Sequence, residues 1–342
     1  MIEDSEEGTC RGHAVTELAV GCRFEAVAHL IWFGALPDAD QDRRFMAEER
    51  ARRQLGRGLL ARLRRLPDSC SPIEVVAAAI NALCLVEAAG DDHAHLDIAL
   101  SLLAQLPTVV AFDHRRRRGL GRLPSNPALG LVENFLWMCF GVRPPAVIAR
   151  CLECGLILSA CAERPPSQPD RAGPAAALAA LAHGAADGGA EAVMRMMLEI
   201  GDPARAADWL RAALAAGRPL PGFAPDIVTG GEDRLSPLKR ALRAVAALRQ
   251  DRRWLDLAEA LARTMRDETG RLPTPALFTA PAGYLIGFDL PLLASIEAIG
   301  RIPASTAPLA AQSHGDAAPI PPPSGRWSAR GGVLSAVTRW GD

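Results

Sequence analysis

Apolar residues recur three and four positions apart along almost the whole of this chain, while alternation of apolar and polar residues is weak. That period restricts the fold to helices that bury apolar stripes against other helices, so a mostly α architecture is expected. Helix punctuation agrees. Ser71-Pro72-Ile73-Glu74 sets a capping hydroxyl, a proline for the first helical position and a carboxylate ahead of the apolar run from Val75. Asp202-Pro203 and Ser236-Pro237 repeat the arrangement before Ala204 to Ala216 and Leu238 to Leu248, and Gly90, Gly201 and Gly217 stand at expected helix ends. Further helices are expected at Phe24 to Phe33, Leu96 to Leu106, Leu129 to Phe140, Ala146 to Ala162, Pro174 to Ala182, Trp254 to Arg266 and Leu290 to Arg301. The rest reads as loop. Glu163 to Pro174, Pro219 to Gly231 and the tail after Ile302 interrupt the pattern with Pro, Gly and polar residues; the first two are candidate site loops, and Val333 to Trp340 reads as one more short packed segment.

At 342 residues, 49% of them hydrophobic and 23% charged, the chain can build a large core and is neither disordered nor fibrous in composition. Lysine plus arginine (38) nearly balances aspartate plus glutamate (39), so no net field draws it to nucleic acid or anionic lipid. The acidic Met1 to Glu7 is unlike a signal peptide, and the most apolar stretch, Val75 to Ala89, contains Asn81 and Glu87 and is short for a bilayer of about 20 helical residues. A cytoplasmic protein without a membrane span is expected. Cys151-Leu152-Glu153-Cys154, with Cys161 beyond it, has a metal-like spacing but lies in an apolar helix without a second ligand pair, and reads as buried core thiols with no metal site. His114-Arg115-Arg116-Arg117-Arg118 is the densest basic run; a solvated or phosphate-facing patch is expected, without the aromatic interleaving of a nucleic-acid surface.

Arg11-Gly12-His13-Ala14-Val15-Thr16-Glu17-Leu18-Ala19, then Phe24-Glu25-Ala26-Val27-Ala28 and Gly34-Ala35-Leu36-Pro37, resemble the opening of the citrate synthase family. The likeness continues through Leu106-Pro107-Thr108, Glu133-Asn134-Phe135-Leu136 and Pro221-Gly222-Phe223, and ends in Ala298-Ile299-Gly300-Arg301 and the region of Trp327. It implies an all-α, citrate synthase-like fold. A large helical domain would comprise residues 1–188 and 272–342 with the C-terminal tail, and a smaller inserted helical domain residues 189–271. It also implies a homodimer that closes over acyl-CoA and oxaloacetate, with acyl-CoA as substrate and no cofactor.

The family's chemistry uses an Asp to remove an α-proton from the thioester, a His to stabilise the enol, a second His to polarise the ketone, and arginines that hold the dicarboxylate. His183-Gly184-Ala185-Ala186 is the candidate for the enol-stabilising motif; an alternative alignment through Glu191-Ala192-Val193-Met194 puts Asp187 or Ala186 there. The ketone-polarising position falls on Pro225, which has neither an imidazole nor an N–H, and the catalytic Asp position falls on Ala276. Leu156-Ile157-Leu158-Ser159-Ala160-Cys161-Ala162 keeps the family's apolar residues and loses two histidines and an aspartate. Arg234 and Arg301 match two dicarboxylate-binding arginines, and the third falls on Pro322, beside Arg326-Trp327. Arg301 is equally placed to form an i, i+4 ion pair with Glu297.

The resemblance therefore implies a member of the condensing family that is catalytically impaired, acting as a partner subunit, with itself or with an intact paralogue, or as a dicarboxylate-binding protein. The alternative is an active, divergent acyl-CoA condensing enzyme or citryl-CoA-type lyase using His183, Arg234 and Arg301.

Overall fold

The computed structural model describes residues 8–87, 94–162, 189–223 and 233–312. The expected helix Pro174 to Ala182 and the segment Val333 to Trp340 lie outside these residues. The chain opens with a two-residue hairpin, β1 (Thr9–Cys10) and β2 (His13–Ala14), paired antiparallel. Arg11 and Gly12, both at positive φ (50° and 79°), make its two-residue turn, which is why the opening motif needs a glycine. Helices follow: α1 (Val15–Gly21), α2 (Phe24–Phe33), α3 (Ala39–Arg52), α4 (Arg57–Arg65), α5 (Pro72–Glu87), α6 (Ala94–Arg117), α7 (Leu131–Phe140) and α8 (Ala146–Ala162). Then come α9 (Ala190–Ile200), α10 (Ala206–Ala215), α11 (Ser236–Arg249), α12 (Arg253–Thr269), α13 (Ala276–Ile286) and α14 (Leu290–Gln312).

Capping bonds form at Ser71 and Asp202 but not at Ser236, which is the first residue of its helix, behind an N-cap, Leu235, that makes no side-chain cap. Ser71 donates to Glu74 from its backbone N–H (2.6 Å) and its hydroxyl (2.9 Å), and the Asp202 carboxylate accepts from the Ala204 N–H (2.9 Å). Four expectations of helix extent are corrected. Residues 39–52 and 57–65, read as loop, are helical, because α3 carries so many charges that its apolar stripe shrinks to Phe45 and Met46. Residues 276–286 are also helical, although Pro281 and Gly283 obscure the signal. α6 continues past Leu106, through Pro107, to Arg117, with Leu103, Leu106, Val109 and Val110 buried around the proline. That burial offsets a helix cost of about 3 kcal/mol. Likewise α14 runs beyond Ile302 through Pro303 and Pro308, where Trp32 donates its indole N–H to the Pro303 carbonyl and Thr306 Oγ1, both at 3.0 Å.

One core runs through the molecule, with α6 and α14 at its centre packed against α2, α5, α7 and α8. A satellite core of Leu55, Leu63, Val75, Ala79, Val109 and Phe112 seats α4. α6 is long and apolar enough to cross a bilayer by length and composition, yet 78% of its apolar window is buried inside the protein. It is a core helix. Where α3 ends, Arg53 and Glu49 form a fully buried ion pair at 2.7 Å, and Arg53 also donates to the Leu129 carbonyl (2.9 Å), tying α3 to the loop before α7.

The basic run is partly solvated, with Arg117 and Arg118 exposed, and its arginines also bond back to the chain. Arg116 and Arg117 both grip Asp113, Arg116 reaches Asp68 (2.6 Å), and Arg117 donates to the Cys70 carbonyl (2.5 Å). Arg115 donates to the Gly121 and Cys139 carbonyls, and Arg118 pairs with Asp289 at 3.0 Å. These arginines clasp three loops to the end of α6.

Candidate functional site

Stretches far apart in sequence converge where α8, α9, α13 and α14 meet. Pro221-Gly222-Phe223 is pinned on both sides. The Gly222 carbonyl accepts from the Thr274 N–H (2.9 Å), and Phe223 bridges Pro273. Gly222 has φ +86°, and a Cβ there would lie 2.9 Å from Val193 and 3.3 Å from Leu277. Only glycine lets this loop lie against both α9 and the start of α13. Ala276, at the first position of α13, is therefore held beside the loop that leads toward position 225, and it offers only a buried methyl group.

On the other side, α14 lies along the end of α8. A Cβ on Gly300 would sit 3.0 Å from the Ser159 Cβ, and one on Gly155 would sit 3.0 Å from the Thr279 Cγ2, so small residues bring α8, α13 and α14 into close contact. A cavity of about 30 Å³, room for roughly one water, lies between them and is lined by Ser159, Ala190, Thr279 and Glu297 among others. At its edge Arg301 donates to Glu297 Oε1 at 2.8 Å, while Glu297 Oε2 accepts the Ala190 N–H at 2.8 Å. No side chain of α9 or its N-cap Gly189 caps that helix, so the Glu297 carboxylate meets the positive end of α9 from across the site.

Arg301 is thus at the site, in the ion pair that its spacing from Glu297 also anticipated. Arg234, in the short 3₁₀ turn Asp233–Leu235, has different neighbours. Its stem approaches Gly8, and its charge acts on the Cys161 thiol near the end of α8. His183, its alternatives Ala186 and Asp187, and Pro225, Pro322, Arg326 and Trp327 lie outside the described residues. The feature that sequence reading undervalued is Glu297, treated there only as an intrahelical partner. Its signal was a single carboxylate within Ile296-Glu297-Ala298-Ile299, an otherwise apolar run that a core-facing helix would bury.

Cys151 and Cys154 are buried core thiols, and burial pushes Cys154 up to about 12, so neither is an available thiolate near neutral pH. Among the described residues no group of three or more His, Cys, Asp or Glu side chains is placed to hold a metal ion.

The model of the citrate synthase C-terminal domain matches residues 2–165 and 172–322 of the chain. A 2-methylcitrate synthase of Mycobacterium tuberculosis is 40% identical over 332 residues, covering 93% of this chain and 84% of that protein. A citrate synthase of Mycolicibacterium smegmatis is 37% identical over 331 residues, covering 93% and 88%. The crystal structure of citrate synthase from Pyrobaculum aerophilum superposes with a TM-score of 0.79 at 25% identity, covering 96% of this chain and 92% of that one. With the helical architecture, the convergence of the family's separated motifs and relatives matched nearly end to end, this chain belongs to the citrate synthase family.

Proposed function

We propose that the chain is a divergent acyl-CoA condensing enzyme of the citrate or 2-methylcitrate synthase type, taking a short acyl-CoA and a 2-oxo dicarboxylate. The observation that carries this reading is the 40% identity, sustained over 332 residues, to a protein named 2-methylcitrate synthase. It supports an active enzyme over the impaired one that the sequence motifs suggested. In this reading Arg301 and Arg234 serve the carboxylates, His183 serves the enolate oxygen, acyl-CoA is substrate, and no resident cofactor is required. Residues 189–271 act as the smaller domain that closes on residues 1–188 and 272–342, and the enzyme works as a cytoplasmic homodimer.

The impaired-subunit reading stands second, favoured by one observation: Ala276, onto which the resemblance maps the family's base, offers only a methyl group. A general acid or base contributes about 10²–10⁴-fold, so an enzyme lacking the usual base is expected to be slow, below the ordinary range of about 1–10³ per second. The test is release of CoA thiol from acetyl-CoA and propionyl-CoA. Slow release that requires oxaloacetate supports the enzyme, and none above background from either thioester supports the impaired subunit.

A further inference from the structure

The Arg301 subsite already holds a carboxylate, and it is the protein's own. Glu297 Oε1 sits 2.8 Å from an Arg301 guanidinium nitrogen, and Oε2 sits 2.8 Å from the Ala190 N–H at the first turn of α9. Both side chains are largely withdrawn from solvent, at 10% and 18% exposure. An ordinary i, i+4 surface pair leaves its second carboxylate oxygen in water. Here that oxygen is spent on a helix N-terminus from another part of the chain, on a helix with no side-chain cap of its own. A guanidinium on one oxygen and a helix N-terminal N–H on the other is the set of contacts by which proteins bind a free carboxylate. Glu297 also lines the neighbouring cavity of about 30 Å³, so its carboxylate stands between that space and Arg301.

We infer that Glu297 is a resident stand-in for a ligand carboxylate, a specificity-determining side chain that an incoming dicarboxylate must displace to reach Arg301 and the N-terminus of α9. The inference rests on the assignment of Arg301 to a carboxylate substrate in the proposed function. It adds that the subsite in this chain is self-occupied. Two consequences follow. Dicarboxylates bind wild type weakly, because each competes with a side chain tethered at high effective concentration. Removing the charge of Glu297 while keeping its shape strengthens binding, since a neutral Gln no longer competes as an anion for Arg301 and is more readily displaced from the Ala190 N–H.

The experiment is calorimetric titration of oxaloacetate and of citrate into full-length wild type, Glu297→Gln, Arg301→Ala and the Glu297→Gln/Arg301→Ala double variant. Sulfate at matched ionic strength controls for screening, and circular dichroism checks each fold. Glu297→Gln is expected to bind at least one dicarboxylate about tenfold or more tightly than wild type, and the gain is expected to vanish in the double variant. Unchanged or weaker binding by folded Glu297→Gln overturns the inference, as does a gain that survives loss of Arg301. If Glu297→Gln does not fold, Glu297→Met removes the charge at similar length and is judged by the same two criteria. Thiol release is measured separately. A wild type that turns over while Glu297→Gln gains no affinity sinks only the self-occupied subsite, whereas a gain in binding without turnover sinks only the condensing activity.

Discussion

His114 is buried between Phe140 and Phe288, with ring centroids 5.6 and 5.9 Å away, and no partner reaches its Nε2 among the described residues. Burial, reinforced by Arg118 and Arg115 against Asp289 and Asp113, lowers its pKa from 6.5 to about 4. The unfolded chain therefore takes up this proton at a higher pH than the folded one. Stability from His114 is fully present above pH 6.5 and is lost as pH falls toward 4. Urea unfolding at pH 7.5 and 4.5 is expected to show an acid loss in wild type exceeding that in His114→Phe by about 2 kcal/mol. Equal losses would mean that the imidazole takes up its proton at the same pH in the folded and the unfolded chain. The same neighbourhood shows how far residue types mislead when read without their partners. Arg115 to Arg118 form a conspicuous basic run, but each is consumed by a carbonyl or carboxylate of the chain itself.

At the scale of elements, two glycines with opposite surroundings make a paired test. Gly222 combines a positive φ with close approach to Val193 and Leu277, so Gly222→Ala is expected to cost about 1–3 kcal/mol and to loosen the join between α9 and α13. Gly58, inside α4, has ordinary φ and open space around it, so Gly58→Ala is expected to stabilise by about 0.5–1 kcal/mol. Denaturant midpoints of the two variants check both, and a Gly222→Ala protein as stable as wild type would show that the loop is not held against those helices. Capping chemistry is readable in the sequence at Ser71 and Asp202, whereas Ser236, in the same Ser/Asp-Pro pattern, falls inside its helix and caps nothing. At α3 the stripe was thin, and the stronger signal went unread: the Asp38 side chain accepts from the Gln41 N–H (2.8 Å), while the Gln41 side chain accepts from the Asp38 N–H (2.9 Å). An Asp-x-x-Gln box can announce a helix whose outer face is almost all charge.

For the whole molecule, the dimer belonging to the proposed function is the property most open to measurement. Sedimentation velocity is expected to give a dimer at micromolar concentration that persists on dilution, because obligate interfaces are large and apolar. A compact monomer would count against closure across a subunit boundary and leave the helical fold untouched. Continuity of the core favours cooperative behaviour within each chain, since α6 and α14 share a single set of buried side chains with helices from both ends of the sequence.

The helical class, the family and most helix positions were legible in the sequence, because apolar period, capping residues and short motifs are local properties of neighbouring residues. Helix lengths were less so. Pro107, Pro303 and Pro308 read as stops, and the burial of residues distant in sequence, such as Trp32 against Pro303, carries the helices through them. The site divides the same way. The Arg301–Glu297 pair was legible from i, i+4 spacing, but the second contact of Glu297, on Ala190 107 positions away, depends on how α14 packs against α9. Spacing along one helix tells which side chains are neighbours on that helix, and nothing in it tells which other helix end a carboxylate will meet. Packing brought Glu297 to that helix end, and so gave the carboxylate of an intrahelical ion pair its second partner.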